Sequence, residues 1–146
     1  MKTLVRMQSM TNYQDKTAII VEDQTIDALN ASRFVEGLGM RVLGIAKSAE
    51  KVFSLLENDI PDLILLDINL GGEETGIEIG QAITGSYGIP IIFTTSYSDD
   101  DTIASALAIS PYGYLIKPYG RSSLETAIRV AMERRRIEDD IRNTNS

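Results

Sequence analysis

The sequence predicts a single α/β domain in which a parallel sheet is covered by helices on both faces. Short apolar segments of strand length alternate five times with amphipathic segments of helical periodicity along residues 16–132. Strict alternation of this kind is typical of a doubly wound (βα)5 sheet, because each helical crossover returns the chain to the same end of the sheet. The 146 residues suffice for one hydrophobic core, and the chain contains no cysteine that could form a disulfide.

Each predicted strand is a run of mainly apolar residues that is too short for an independent helix. The five runs cover residues 17–21, 40–46, 63–66, 91–95 and 114–116. The third run is an unbroken Leu-Ile-Leu-Leu sequence, which is typical of a strand buried on both faces. Pro61 and Pro90 come just before the third and fourth runs, where a strand tolerates a missing backbone N–H.

The segments between the strands have apolar residues at helical spacing. The first predicted helix places Ile26, Leu29, Phe34 and Leu38 on its core face. The predicted core faces of the later helices are Val52, Leu55 and Leu56; Ile79, Ala82 and Ile83; Ile103, Ala106 and Leu107; and Leu124, Ala127, Ile128 and Ala131. Gly39, Gly85 and Gly88 are expected near helix ends, where a left-handed residue often closes the last turn.

The last predicted helix is long and ends in a highly charged segment. It is expected to cover residues 122–143. Val130, Ile137 and Ile141 fit a heptad spacing that Arg134 interrupts. Two interpretations follow, a solvated helix end or a dimerising or linker helix that leads to a downstream domain. The predicted division is an α/β domain at residues 16–132 followed by a charged extension at 133–146.

Composition excludes several classes of function. The net charge of −7 disfavours direct binding to nucleic acid or to an anionic membrane. The chain has no histidine, so it cannot be a histidine phosphocarrier, and any phosphohistidine in its chemistry must come from a partner. The first residues lack the apolar core of a signal peptide, and no apolar segment is long enough to span a membrane. Residues 1–15 are expected to form a flexible tail, and the expected location is cytoplasmic.

Charged and hydroxyl side chains follow four of the predicted strands. Glu22 and Asp23 follow the first strand, Asp67 the third, Thr95 ends the fourth, and Lys117 follows the fifth. With the strand order 2-1-3-4-5, the first and third strands are neighbours, and ligands of such sheets bind beyond the carboxyl ends of the strands. The three carboxylates should therefore converge on one crevice, with the hydroxyl and the ammonium beside them.

Several carboxylates at one point repel one another unless a cation lies among them. Mg²⁺ is the expected ion because it takes oxygen ligands from one or two carboxylates and from phosphate, and Mn²⁺ is an alternative. A carboxylate, a divalent cation, Lys117 and the Thr95 hydroxyl together suit phosphoryl transfer to Asp67, which needs mainly positioning and charge neutralisation. Each residue taken alone also fits an ordinary role as a helix cap, a strand end or a solvated surface charge.

Four motifs in these positions closely resemble the receiver domain of two-component response regulators. They lie at residues 19–23, 61–70, 90–96 and 113–119, and the resemblance covers residues 16–132. It implies the flavodoxin-like form of the doubly wound fold, with five parallel strands in the order 2-1-3-4-5. It also implies a signalling domain that is not an enzyme beyond self-phosphorylation and self-dephosphorylation.

The resemblance assigns roles to the acidic residues of the site. Asp67 would be the phosphoacceptor. Asp23 would hold Mg²⁺ directly, Glu22 would hold it through water, and the main-chain carbonyl of Asn69 would complete the protein ligands together with Asp67. No separate cofactor is implied beyond the metal ion.

The resemblance also implies a conformational switch. Thr95 would be the switch hydroxyl, with Thr94 the competing candidate, and Tyr114 would be the aromatic side chain that turns inward as the hydroxyl moves. Lys117 would pair with Asp67 and then with the phosphoryl oxygens. The Lys117-Pro118 peptide is often cis in this family, and Tyr97 is expected to slow the loss of the phosphoryl group.

The expected partner is a histidine kinase or a histidine phosphotransfer protein that supplies the phosphoryl group. Phosphorylation would switch the surface of the fourth helix, fifth strand and fifth helix, which would bind a partner, form a homodimer or control an attached output domain. One alternative is a phosphorylation-independent module of the same fold. A less favoured one is an aspartate-nucleophile phosphatase, whose motif needs a second aspartate where this chain has Asn69.

Overall fold

The computed structural model describes residues 13–72, 74–96 and 99–144. Its five strands are β1 (Thr17–Val21), β2 (Arg41–Ala46), β3 (Leu63–Asp67), β4 (Ile91–Thr95) and β5 (Gly113–Ile116). All neighbouring strands are parallel, and their order is β2-β1-β3-β4-β5. The predicted fold class and strand order are therefore confirmed. Tyr97 and most of the predicted tail at residues 1–15 lie outside the described residues.

Five helices connect and follow the strands. They are α1 (Thr25–Gly37), α2 (Ala49–Asn58), α3 (Gly76–Tyr87), α4 (Asp100–Leu107) and α5 (Arg121–Thr144). The side chain of the residue just before the helix caps three of them. Ser48 caps α2, Thr75 caps α3 in a reciprocal pair with Glu78, and Asp99 caps α4. These caps accept hydrogen bonds from first-turn N–H groups that otherwise lack a partner, so they fix where each helix starts after its loop.

The core has two layers, one on each face of the sheet. Alternate strand residues point to opposite faces, so Ile64 and Leu66 join the layer under α2, α3 and α4. Leu63 and Leu65 join the layer under α1 and α5. β3 is buried along its whole length, as its continuous apolar run predicts. The central position of β3 is what carries Asp67 into the interior of the molecule.

The predicted core face of α1 is wrong for its first turns. Ile26 and Leu29 are 74% and 48% exposed. The buried residues are instead Ala28, Ala31 and Val35, which recur at helical spacing on the adjacent face. Small side chains on this face allow the helix to lie close to the sheet, and the position of the helix is set by that packing rather than by the largest apolar residues.

Two other core-face assignments also fail. Ala82 and Leu107 were predicted to face the core, but both are exposed on the outer sides of α3 and α4. Gly85 was expected near a helix end and lies in the last turn of α3. Gly88 is the residue that ends α3, with a positive φ of 66° that glycine adopts without strain.

α5 extends as one helix through the predicted domain boundary at residue 132. Its last turns carry exposed ion pairs three and four residues apart, including Arg136 with Glu133 and Asp140. Among residues that the structure describes, no helix is long and apolar enough to cross a membrane. The division at residue 132 stays a prediction, and so does the role of the segment beyond it.

Candidate functional site

The carboxyl ends of β1 and β3 bring the three predicted acidic residues together. Val21 pairs with Leu66 in the sheet, so Glu22 follows β1 beside Asp67 at the end of β3. One carboxylate oxygen from each of Glu22, Asp23 and Asp67 lies within 4.8 Å of the others. Residues 45 positions apart thus form a single cluster because parallel neighbours end at the same edge of the sheet.

Lys117 provides the positive charge of this cluster. Its ammonium donates to Glu22 through a short hydrogen bond, to Asp67 Oδ2 at 3.1 Å and to Asp27 Oδ2 at 3.3 Å. The contact with Asp27 was missed by the sequence analysis. Its only sequence signal is that Asp27 lies four residues after Asp23, in the first turn of the helix that leaves the site.

The surroundings of Glu22 and Lys117 shift the pKa values of both side chains. Glu22 is 4% exposed, and the loss of water raises its pKa to about 7, although hydrogen bonds from Lys117 and the Gln24 N–H favour its charged form. Burial by itself would lower the pKa of Lys117. Hydrogen bonds to Glu22 and Asp67 outweigh burial and hold the pKa of Lys117 above its usual range. The ammonium therefore stays charged.

Asp23 has the geometry of a metal ligand. Its Oδ2 accepts a hydrogen bond of 3.0 Å from the Gly71 N–H. Its Oδ1 is buried and accepts no hydrogen bond from residues in the described ranges 13–72, 74–96 and 99–144. A buried carboxylate oxygen without a donor is costly unless a cation fills that place. The donor set and this oxygen therefore fit the hard, oxygen-seeking Mg²⁺ ion.

Asp67 is held through both of its carboxylate oxygens. The side chain is only 3% exposed. Oδ1 accepts a hydrogen bond of 2.9 Å from the Asn69 N–H, and Oδ2 accepts one from Lys117. These two hydrogen bonds fix the orientation of the carboxylate.

The Thr95 hydroxyl has a partner that the sequence analysis did not anticipate. Thr95 is fully buried, and its Oγ1 donates to the side-chain Oδ1 of Asn69 at 2.7 Å. The main-chain N–H of Lys117 donates to the Thr95 carbonyl at 2.7 Å, which joins the ends of β4 and β5. Asn69 was predicted only for its main-chain carbonyl, but its side chain also links the loop after β3 to the end of β4.

Gly76 is a second residue that the sequence analysis missed. A Cβ atom at this position would lie 2.1 Å from the carbonyl oxygen of Asp67 and 2.6 Å from the Cα of Ile68. The Gly76 N–H donates to the Ile68 carbonyl at 2.9 Å. The start of α3 is therefore packed directly on the backbone that carries Asp67, which only glycine permits.

Tyr114 and the peptide after Lys117 complete the predicted set. Tyr114 is half-buried on β5 and packs against the core layer under α2, α3 and α4. Burial, with a smaller effect of Asp99, raises the pKa of its hydroxyl. The Lys117-Pro118 peptide is cis, as expected. Six of the seven predicted site residues thus lie at the carboxyl edge of the sheet, and Tyr114 lies within β5, while the roles of all seven stay predictions.

The family model that matches this chain and the relatives most similar to it agree with one another. The model described as the response regulator receiver domain matches residues 18–129. The transcriptional regulatory protein PdtaR of Mycobacterium tuberculosis is 26% identical over 119 residues, which cover 82% of this chain and 58% of that protein. The phyllosphere-induced regulator PhyR of Methylorubrum extorquens is 29% identical over 115 residues, or 78% of this chain and 42% of that protein. This chain spans about half the length of these curated relatives.

Solved structures that superpose on this chain include a receiver domain and a response regulator. The signal receiver domain of a modulated diguanylate cyclase from Desulfovibrio desulfuricans G20 superposes with a TM-score of 0.78 at 32% identity, covering 84% of this chain and 98% of that chain. The response regulator PhyR from Brucella abortus superposes with a TM-score of 0.80 over 99% of this chain and 59% of that chain. At 22% identity the second likeness concerns the fold alone.

Proposed function

This chain belongs to the response regulator receiver domain family of two-component systems, and on that premise we propose that it is a signalling domain switched by phosphorylation of Asp67. Receiver domains are generally phosphoacceptors rather than catalytic enzymes. The observation that carries the proposal is the arrangement around Asp67. One carboxylate, oriented by Lys117 and by the Asn69 N–H, lies within a cluster of acidic oxygens that fits a divalent cation.

Glu22, Asp23 and Asp67 would hold Mg²⁺, or Mn²⁺ as the alternative, together with the main-chain carbonyl of Asn69. When bound, the ion would offset the negative charge of the phosphoryl oxygens that must approach these carboxylates. The buried Asp23 Oδ1 is the atom of this chain that such an ion would relieve most directly.

The phosphoryl group would come from phosphohistidine of a kinase or of a histidine phosphotransfer protein, since this chain has no histidine. A carboxylate oxygen of Asp67 attacks phosphorus, and a new P–O bond forms. The P–N bond breaks, and its electron pair stays on the imidazole nitrogen of the partner. Lys117 neutralises charge on the phosphoryl oxygens during transfer, which is where a preorganised cation lowers the barrier.

Phosphorylation would then shift an equilibrium between two conformations. The Thr95 hydroxyl would leave Asn69 for a phosphoryl oxygen, and Tyr114 would follow it inward. The proposed output is the surface of α4, β5 and α5, where Leu107 and Ile116 are about half exposed. Candidate uses of this surface are a separate partner, a homodimer, or an output domain attached beyond residue 132.

The test is incubation with acetyl phosphate and Mg²⁺ followed by intact mass spectrometry. The wild-type protein should gain the mass of one phosphoryl group, and Asp67→Asn should gain none. Asp101→Asn is the matched control, because Asp101 is exposed on α4 and should leave labelling intact. A wild-type protein that takes up no phosphoryl group would favour the phosphorylation-independent module, and an adduct that persists in Asp67→Asn would refute the assignment of the acceptor.

A further inference from the structure

Asp27 makes a contact at the site that none of the expected roles requires. Its Oδ2 accepts a hydrogen bond of 3.3 Å from the ammonium of Lys117. The Lys117 side chain is 13% exposed, and the Asp27 side chain is 47% exposed. The ammonium therefore lies between two buried carboxylates, Glu22 and Asp67, and one carboxylate at the surface of the molecule.

We propose that Asp27 is a positioning residue that holds Lys117 towards the mouth of the site and so weakens the binding of dianionic phosphoryl donors. This inference rests on the proposed function, because it concerns the approach of a phosphoryl group to Asp67. It assigns to Asp27 an effect on donor binding and none on the transfer step itself.

The donors of Lys117 are the first reason. An ammonium has three N–H groups, and Glu22, Asp67 and Asp27 use one each. A phosphoryl group that binds beside Asp67 needs at least one of these donors, so one existing contact must be released. The Asp27 contact is the one to release, since it is the longest of the three and the only one with a half-exposed acceptor, where water replaces it at little cost.

A cavity beside Asp27 is the second reason. A cavity of about 360 Å³ opens between α1 and the loop that follows β5. Its lining includes Asp27, Asn30 and Phe34 on one side and Lys117 and Tyr119 on the other. A dianion that reaches Lys117 through this opening passes the Asp27 carboxylate. The negative charge of Asp27 therefore opposes the donor at the same place where it occupies the ammonium.

An ordinary structural role for Asp27 has to be separated from this one. Asp27 lies in the first turn of α1, where a negative charge stabilises the partial positive charge of the helix end. Asp101 lies in the first turn of α4 and has no contact with Lys117 among those described. Asp27→Asn and Asp101→Asn therefore each remove one negative charge from the first turn of a helix, and only the first removes a carboxylate that contacts Lys117.

The experiment measures the initial rate of phosphorylation by acetyl phosphate at saturating Mg²⁺, by intact mass, over a range of acetyl phosphate concentrations. Asp27→Asn should lower the half-saturating concentration by about two- to five-fold, the size of a partly exposed ion pair, without changing the maximal rate. Asp27→Glu, which keeps the charge, should lie closer to the wild type. The difference should shrink in 0.5 M NaCl because the carboxylate is open to solvent.

The role of Asp27 is overturned if the half-saturating concentration for Asp27→Asn equals or exceeds that for Asp101→Asn. The proposed function stays in place in that case. A change confined to the maximal rate overturns the role of Asp27 as well. If the wild-type protein takes up no phosphoryl group, the proposed function fails and this inference falls with it. The urea unfolding midpoints of Asp27→Asn and Asp101→Asn show whether both variants are folded under the conditions of the rate measurement.

Discussion

Two regions of this molecule carry dense charge, and they hold it in opposite ways. At the carboxyl edge of the sheet, Glu22, Asp67 and Lys117 lie at the ends of three different strands and are largely buried. In the last turns of α5, Arg136 pairs with Glu133 and Asp140 on one exposed helix face. The first group is brought together by the fold, and the second by helical spacing alone.

The difference in burial shows in which of the two regions charges interact strongly enough to serve chemistry. Water screens the pairs of α5, so each contributes little and either partner can be lost without leaving a buried charge. At the carboxyl edge, Glu22, Asp67 and Lys117 have little contact with water, so their charges interact strongly and an unpaired one is costly. The pKa of Glu22, raised to about 7 by burial, reflects this environment. The predictions below test this contrast.

The largest expected effect is on stability when Lys117 is removed. Lys117→Met leaves the buried carboxylates of Glu22 and Asp67 without their cation, and without Mg²⁺ it should lower the free energy of unfolding by about 3 kcal/mol. The matched variant is Arg136→Met, which breaks two exposed ion pairs on α5 and should leave the urea midpoint unchanged. If both variants shift the urea midpoint equally, burial does not make the charges of the carboxyl edge contribute more to stability than those of α5.

The next effect concerns how tightly the backbone is packed at the carboxyl edge. Gly76→Ala would place a methyl group against the carbonyl of Asp67 and should destabilise the domain by about 1 to 3 kcal/mol. Gly85→Ala lies in the same helix with no atom near its Cβ position and should stabilise by about 0.5 kcal/mol. Thermal unfolding of both variants checks the signs, and a neutral Gly76→Ala would contradict the close packing at Asp67.

Mg²⁺ should act on the carboxyl edge and not on α5. At ten times its dissociation constant, an ion that binds only the folded state stabilises it by about 1.4 kcal/mol. The wild-type protein should therefore unfold at a higher temperature with MgCl2 than with a matched ionic strength of NaCl. Asp23→Asn should lose this difference, and Asp101→Asn should keep it. A Mg²⁺ effect that survives in Asp23→Asn would place the ion elsewhere.

The smallest effect is expected where α5 meets the rest of the domain. Tyr112 donates a hydrogen bond to Glu138, and Arg134 stacks over the Tyr112 ring at 4.0 Å. Tyr112→Phe should cost about 0.5 to 1 kcal/mol, because a partly exposed hydrogen bond is lost and the stacking is kept.

This contact should also depend on pH. The hydrogen bond from Tyr112 holds the pKa of Glu138 below its usual value, so its contribution is present above the usual carboxyl range and is lost as the pH falls through the lowered pKa. The difference between wild type and Tyr112→Phe in urea unfolding should therefore be larger at pH 7 than at pH 3. A difference that grows at acid pH would contradict the sign.

The sequence by itself determined the sheet and the composition of the site. Apolar runs mark strands because burial on both faces requires a continuous set of apolar side chains, and the alternation with helices implies a parallel sheet. Once the strands are parallel, residues that follow them share one edge. Glu22, Asp67, Thr95 and Lys117 could therefore be placed together without any knowledge of distances.

Only the tertiary structure decided which groups within the site touch. Asp27 and Lys117 are 90 residues apart, and their contact depends on where the first turn of α1 lies relative to the residues that follow β5. The buried face of α1 includes the small residues Ala28 and Ala31, whereas the sequence analysis had placed the larger Ile26 on the core face. Hydrophobicity indicates that a helix has a buried face, but the fit of side chains against the sheet selects the face, and that fit is a property of the assembled fold.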